Sequence, residues 1–111
     1  MQYMLLIYSN PNRGNNDAEM QAYFDFTADM RQRGLYVAGE ALQPATATTS
    51  IRTANGAKGV VTDGPFAETK EVLGGFYILD CKDLDEAMEQ ARRINTIDDS
   101  TVEIRPIWVF A

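Results

Sequence analysis

Apolar residues in this chain come in short blocks divided by polar turns, and the spacing inside each block predicts its element. Residues 3–8 are continuously apolar rather than alternating, the pattern of a strand covered on both faces. Residues 9–16 are turn-rich and predict an exposed loop. Asn16 stands three positions before Glu19, the spacing of an N-cap and capping box. Met20, Tyr23, Phe24, Phe26, Thr27 and Met30 then share one broad side at 3.6 residues per turn, with Asp25, Asp29 and Gln32 opposite. Arg31 and Arg33 suit the negative end of that helix, and Gly34 stops it.

Residues 35–42 predict a strand, in which Gly39-Glu40 marks a bulge or a close backbone approach. Two β-rich segments follow, 48–53 and 58–62, flanking Asn55-Gly56, the preferred pair for a type I′ hairpin turn. The second ends at Thr62, because Asp63-Gly64-Pro65 continues neither strand nor helix: glycine is permissive and proline has no backbone donor. Residues 75–80 form another buried run. Asp83 caps a second helix with an acidic first turn. Its apolar stripe is Leu84, Ala87, Met88, Ala91 and Ile94, and Glu89 sits one turn before Arg93 as an ion-pair partner. Residues 102–107 alternate as a strand with one wetter face. Pro106 puts it at an edge or marks its end. The apolar tail, residues 107–110, needs a partner surface.

The order β-α-β-(β-β)-β-α-β predicts an α+β fold, a ferredoxin-like sandwich with an inserted β-hairpin and two helices on one face of an antiparallel sheet. Two helices cover one face only, yet residues 4–8 and 76–79 are apolar on both. The second face therefore needs a cover, and another copy of the chain is the simplest. A homodimer through the sheet face is the expectation.

Length and composition narrow the function. The 111 residues, 45% hydrophobic, suit one domain with one core. A net charge of −6 with no basic stripe argues against a nucleic-acid or anionic-membrane partner. No apolar run is long enough to span a bilayer, and the first arginine, Arg13, comes too late for the basic start of a secretory signal. One cysteine allows no internal disulfide and fits a reducing, cytoplasmic setting. There is no histidine, which removes histidine-based nucleophilic triads and ordinary zinc sites. Acid–base chemistry would fall to carboxylates, Lys, Tyr or Cys81; no cofactor is implied.

The densest chemistry lies in Val61-Thr62-Asp63-Gly64-Pro65-Phe66-Ala67-Glu68-Thr69-Lys70-Glu71-Val72-Leu73-Gly74-Gly75-Phe76, a polar loop between two strands. Together with residues 4–8, 39–44, 83–87 and 102–108, it resembles the YCII-related, DGPF-domain proteins over nearly the whole chain. That resemblance implies a ferredoxin-like, dimeric α/β barrel. In the wider group a His–Asp pair in the cleft is the proposed catalyst, a mechanism this histidine-free chain cannot inherit. Such proteins are often encoded beside extracytoplasmic-function sigma factors, which implies a regulatory partner.

Asp63 has two readings: a carboxylate facing a cleft, ready as base or acceptor, and a turn-former whose side chain accepts backbone N–H bonds. Glu68, Lys70 and Glu71 form either a charge-balanced site or a solvated loop. Glu40 interrupts an apolar strand and needs a partner if buried; Arg105 on the last strand is the candidate. Gly74-Gly75 permits a bulge or close ligand approach. Tyr3, Tyr8, Phe76, Tyr77 and Trp108 line a pocket for a small, partly aromatic ligand or pack in core and dimer contacts. Cys81, lacking a base and flanked by Asp80, is expected to be inert. Asp98-Asp99 lacks the further spaced ligands of a calcium loop. The functional expectation is a small molecule bound in a cleft near Asp63, Gly64, Pro65 and Phe66, with carboxylate acid–base chemistry if it is an enzyme. The alternative is a regulatory or scaffolding dimer that binds a protein such as a sigma factor.

Overall fold

A computed structural model describes residues 1–12, 14–67 and 69–110. In chain order the elements are β1 (Gln2–Ser9), α1 (Asp17–Gln32), β2 (Tyr36–Ala41), β3 (Thr49–Ala54), β4 (Ala57–Asp63), β5 (Val72–Asp80), α2 (Leu84–Ile97) and β6 (Ser100–Pro106), with a single 3-10 turn at Ala45–Ala47. Four strands form an antiparallel sheet in the order β2-β5-β1-β6, and β3 and β4 pair separately as a hairpin. This is the ferredoxin-like α+β arrangement with an inserted hairpin. Among the described residues, no helix is long and apolar enough to cross a membrane.

The helix ends form as their sequences dictate. The Asn16 side chain accepts from the Glu19 backbone N–H at 2.8 Å, and Asp83 accepts from that of Glu86 at 2.9 Å. Gly34 takes φ 74°, and the Leu35 N–H closes back onto the Met30 carbonyl. In the hairpin Asn55 and Gly56 have φ 50° and 81°, the left-handed pair a type I′ turn demands.

The core lies between the helices and one side of the sheet. Tyr3, Leu5, Ile7, Tyr77 and Leu79 meet Phe26 and Met30 of α1 and Ala87, Ala91 and Ile94 of α2. Their neighbours Met4, Leu6, Phe76 and Ile78, which alternate onto the other face, are only half-buried.

Several local expectations change. The apolar side of α1 is narrower than its pattern: Phe26 and Met30 are buried, but Phe24 stays 60% exposed. Arg93 does not pair with Glu89. It turns toward α1, bonding Asp29 at 2.6 Å and Gln90 at 3.0 Å, because α2 packs against α1 and brings the Asp29 carboxylate within reach. Asp29 therefore lies at the seam between the helices, not on a free face. β5 begins at Val72, three residues earlier than expected, since β1 goes on pairing along that stretch through Tyr8↔Leu73 and Ser9↔Val72.

Candidate functional site

Glycines permit close approach at the β2–β5 seam. A Cβ on Gly39 would lie 2.7 Å from Tyr77 Cδ1, and one on Gly75 would lie 2.9 Å from the Glu40 carbonyl oxygen. The first lets the Tyr77 ring lie against β2; the second lets the two strands close. On β1 the register passes from Ile7↔Gly75 to Tyr8↔Leu73, so Gly74 is the extra residue of a bulge. In β2 the register shifts between Tyr36 and Ala38, earlier than the Gly39-Glu40 expectation.

Beside this seam, between α1 and the sheet, lies a cavity of about 310 Å³. α1 supplies Met20, Tyr23, Phe24 and Thr27; β2 supplies Tyr36 and residues 39–41; Ile7, Ser9, Phe76 and Tyr77 complete the sheet side, with Asn15 and Asp98 also on its lining. Most of this surface is apolar, as in ligand sites generally.

The polar atoms are tied together. The Thr27 hydroxyl donates to the Tyr23 carbonyl oxygen at 2.9 Å, and the Tyr77 hydroxyl lies 2.7 Å from Thr27 Oγ1. The Tyr23 hydroxyl donates to Asp98 Oδ2 at 2.9 Å. Burial, and then the Asp98 contact, pushes the Tyr23 phenol far above its ordinary range, so it stays protonated. Burial likewise raises Tyr77. The Phe26 and Tyr36 rings meet the Tyr77 ring edge-on at 5.2 and 6.5 Å, which fixes its position.

The residues singled out by sequence do not come together. Of them, Glu40 lines the cavity with Phe76, Tyr77, Gly74 and Gly75; Asp63, Gly64, Pro65, Phe66, Lys70 and Arg105 do not. Glu40 and Arg105 are on β2 and β6, the opposite edges of the four-stranded sheet. Three strand spacings separate them, roughly 14 Å, so the expected ion pair within one chain does not form. Asp63 ends β4 on the hairpin, opposite Thr49. Among the described residues its carboxylate accepts no hydrogen bond. The loop is held instead through Gly64, whose N–H reaches the Thr48 carbonyl at 2.7 Å and whose carbonyl receives the Ser50 hydroxyl at 2.8 Å. Gly64 has φ 85°, a conformation glycine adopts freely.

Phe66 is 75% exposed. Glu68 lies outside the described residues. Lys70 and Glu71 border a separate polar groove with Asn10, Asn12 and Asp99, and Glu71 accepts from the Thr101 hydroxyl at 2.8 Å. Tyr3 is core, while Trp108 is 79% exposed and stacks on Phe110 at 5.0 Å. Cys81 is buried and its thiol is pushed up, first by burial and then by Glu86 and Asp80. That environment disfavours the reactive thiolate.

Sequence reasoning placed Tyr23 and Thr27 on the apolar side of α1 and gave them no role. Two hydroxyl residues one turn apart on a buried stripe were the available signal.

Fold and cavity together define a ferredoxin-like α+β protein with a mostly apolar cavity between a helix and the sheet. The chain belongs to the YCII-related domain family, whose model matches residues 1–111. It is 46% identical over 71 residues to an uncharacterized protein of Rhizobium meliloti (strain 1021), a match covering 62% of this chain. The aligned part is 56% of that protein, so the chain spans a little over half the length of the curated relative it matches.

Proposed function

We propose that this chain binds a small, largely apolar molecule in the cavity between α1 and the sheet. The observation that carries this reading is a mostly apolar space of about 310 Å³ whose lining includes the hydrogen-bonded hydroxyl residues Tyr23, Thr27 and Tyr77. Its volume is at the small end for ligand cavities, about 300–1,000 Å³. Glu40 is the sequence candidate best placed to contribute, at the β2 edge. Chemical-shift mapping with single-ring aromatic probes tests the reading. Perturbations centred on Thr27, Gly39 and Tyr77 are expected. Perturbations confined to residues 63–71, or none with any probe, overturn it.

The binding unit is a homodimer built on the open sheet face. Half-buried Met4, Leu6, Phe76 and Ile78 support this, as do the exposed apolar side chains Trp108, Val109 and Phe110. So does the hairpin, since two strands alone are marginally stable in water and its Ile51–Val61 pair is 68% and 60% exposed. Sedimentation should show a dimer that Leu6→Asp converts to folded monomer. A wild-type monomer at the same concentration removes the idea.

Phe66 supports a second reading, in which residues 63–71 present a recognition surface to a protein partner, the sigma factor of the family resemblance being one. Loss of a captured sigma factor in Phe66→Ser, with the wild-type fold intact, is the expected result; equal capture by both proteins dismisses it.

A further inference from the structure

The hydroxyl protons around the cavity can be counted, and the count sets the ligand's chemistry. Thr27 Oγ1 carries one proton, which goes to the Tyr23 carbonyl oxygen at 2.9 Å, the backward bond a helical threonine makes to the preceding turn. With that proton used, Thr27 can meet the Tyr77 hydroxyl at 2.7 Å only as an acceptor. The Tyr77 proton is therefore committed to Thr27, and the Tyr23 proton is committed to Asp98. Both phenol oxygens keep lone pairs and have no proton left to offer. Tyr36 points its hydroxyl at the Gly39 carbonyl from 3.5 Å, too far to hold the proton firmly. The other side-chain donors on the lining are half-buried Ser9 and exposed Asn15.

We infer that the side of the cavity formed by Thr27 and Tyr77 selects a neutral or cationic molecule that presents a hydroxyl or amine N–H donor on an apolar body, and rejects ligands that present only an acceptor or a carboxylate there. An acceptor-only ligand would set its oxygen against the lone pairs of Tyr77, leaving buried polar atoms unpaired. This rests on the cavity being a binding site, and the selectivity is a separate property that can fail by itself.

The test compares 1-phenylethanol with acetophenone, which share heavy-atom connectivity and closely similar size but differ in having a donor, and adds benzoate as the anion. The wild-type protein should bind the alcohol about tenfold more tightly than the ketone, the size of one buried hydrogen bond made or left unmade. Benzoate should bind more weakly than either. Thr27→Val keeps the side-chain shape but frees the Tyr77 proton, so the ratio should fall toward one or reverse. Tyr77→Phe removes the acceptor and should also erase the preference, which covers the case of a poorly folded Thr27→Val. A change of ratio is a readout that a packing defect, weakening both probes alike, would not produce. Equal affinity for alcohol and ketone in the wild type, or tighter benzoate binding, overturns the selectivity while leaving the cavity reading in place. Absence of binding by all three probes overturns both.

Discussion

The two faces of the same four-stranded sheet had different fates. On β1, Leu5 is fully buried under the helices while the next residue, Leu6, is only half-covered on the other side. The face under α1 and α2 has a core, a cavity and pinned aromatic rings. The other face carries Met4, Leu6, Phe76 and Ile78, which the described residues leave half-buried. Composition does not separate the two, since residues 3–8 of β1 are apolar on both faces. Two helices suffice to seal one face and build the core there, whereas the apolar residues of the other face stay half-buried.

The sharpest way to break that comparison is to truncate both leucines. Leu5→Ala should lower unfolding stability by about 3 kcal/mol, the usual cost of a core cavity. Leu6→Ala should lose clearly less when measured under monomeric conditions; equal losses in denaturant titrations would mean the two faces are equally sealed. Next, Gly75→Ala should cost about 1–3 kcal/mol, because its methyl would press on the Glu40 carbonyl oxygen, backbone that cannot swing aside. On the same face, Asp83→Ala removes the cap of α2 and should cost about 1 kcal/mol.

A pH series sharpens the helix side further. The Arg93 guanidinium, and then Arg33, holds the Asp29 carboxyl below its ordinary value of 3.8. A lowered folded-state pKa means its contribution is present above 3.8 and is lost as pH falls through the lower folded value. The stability gap between wild type and Asp29→Asn should therefore be widest at neutral pH and close in acid; a gap independent of pH would disconnect Asp29 from Arg93. The smallest effect belongs to the hairpin. Asp63→Asn should shift stability by no more than about 0.5 kcal/mol, since the loop is held through Gly64 and Ser50 rather than through the carboxylate. A drop of several degrees in the unfolding midpoint would return Asp63 to the role of turn-former.

What could be read from the sequence was what depends on neighbours along the chain. The caps at Asn16 and Asp83, the stop at Gly34 and the Asn55-Gly56 turn each involve hydrogen bonds or dihedral angles within a few residues. Periods of two and 3.6 named the strands and helices, and their order fixed the fold class. The site was not readable in that way. Thr27 and Tyr77 are fifty positions apart and meet only because β5 is placed centrally in the sheet under α1. The same strand order separates Glu40 from Arg105, and the packing of α2 on α1 redirects Arg93 from Glu89 to Asp29. The loop rich in charge and glycine drew attention because its chemistry is dense in sequence, yet of its described residues only 74–76 line the cavity. Local hydrogen bonding and periodicity are properties of a short window of chain. A cavity is made by surfaces from distant elements that meet only after the sheet has formed, so its place and its chemistry were decided by the tertiary structure.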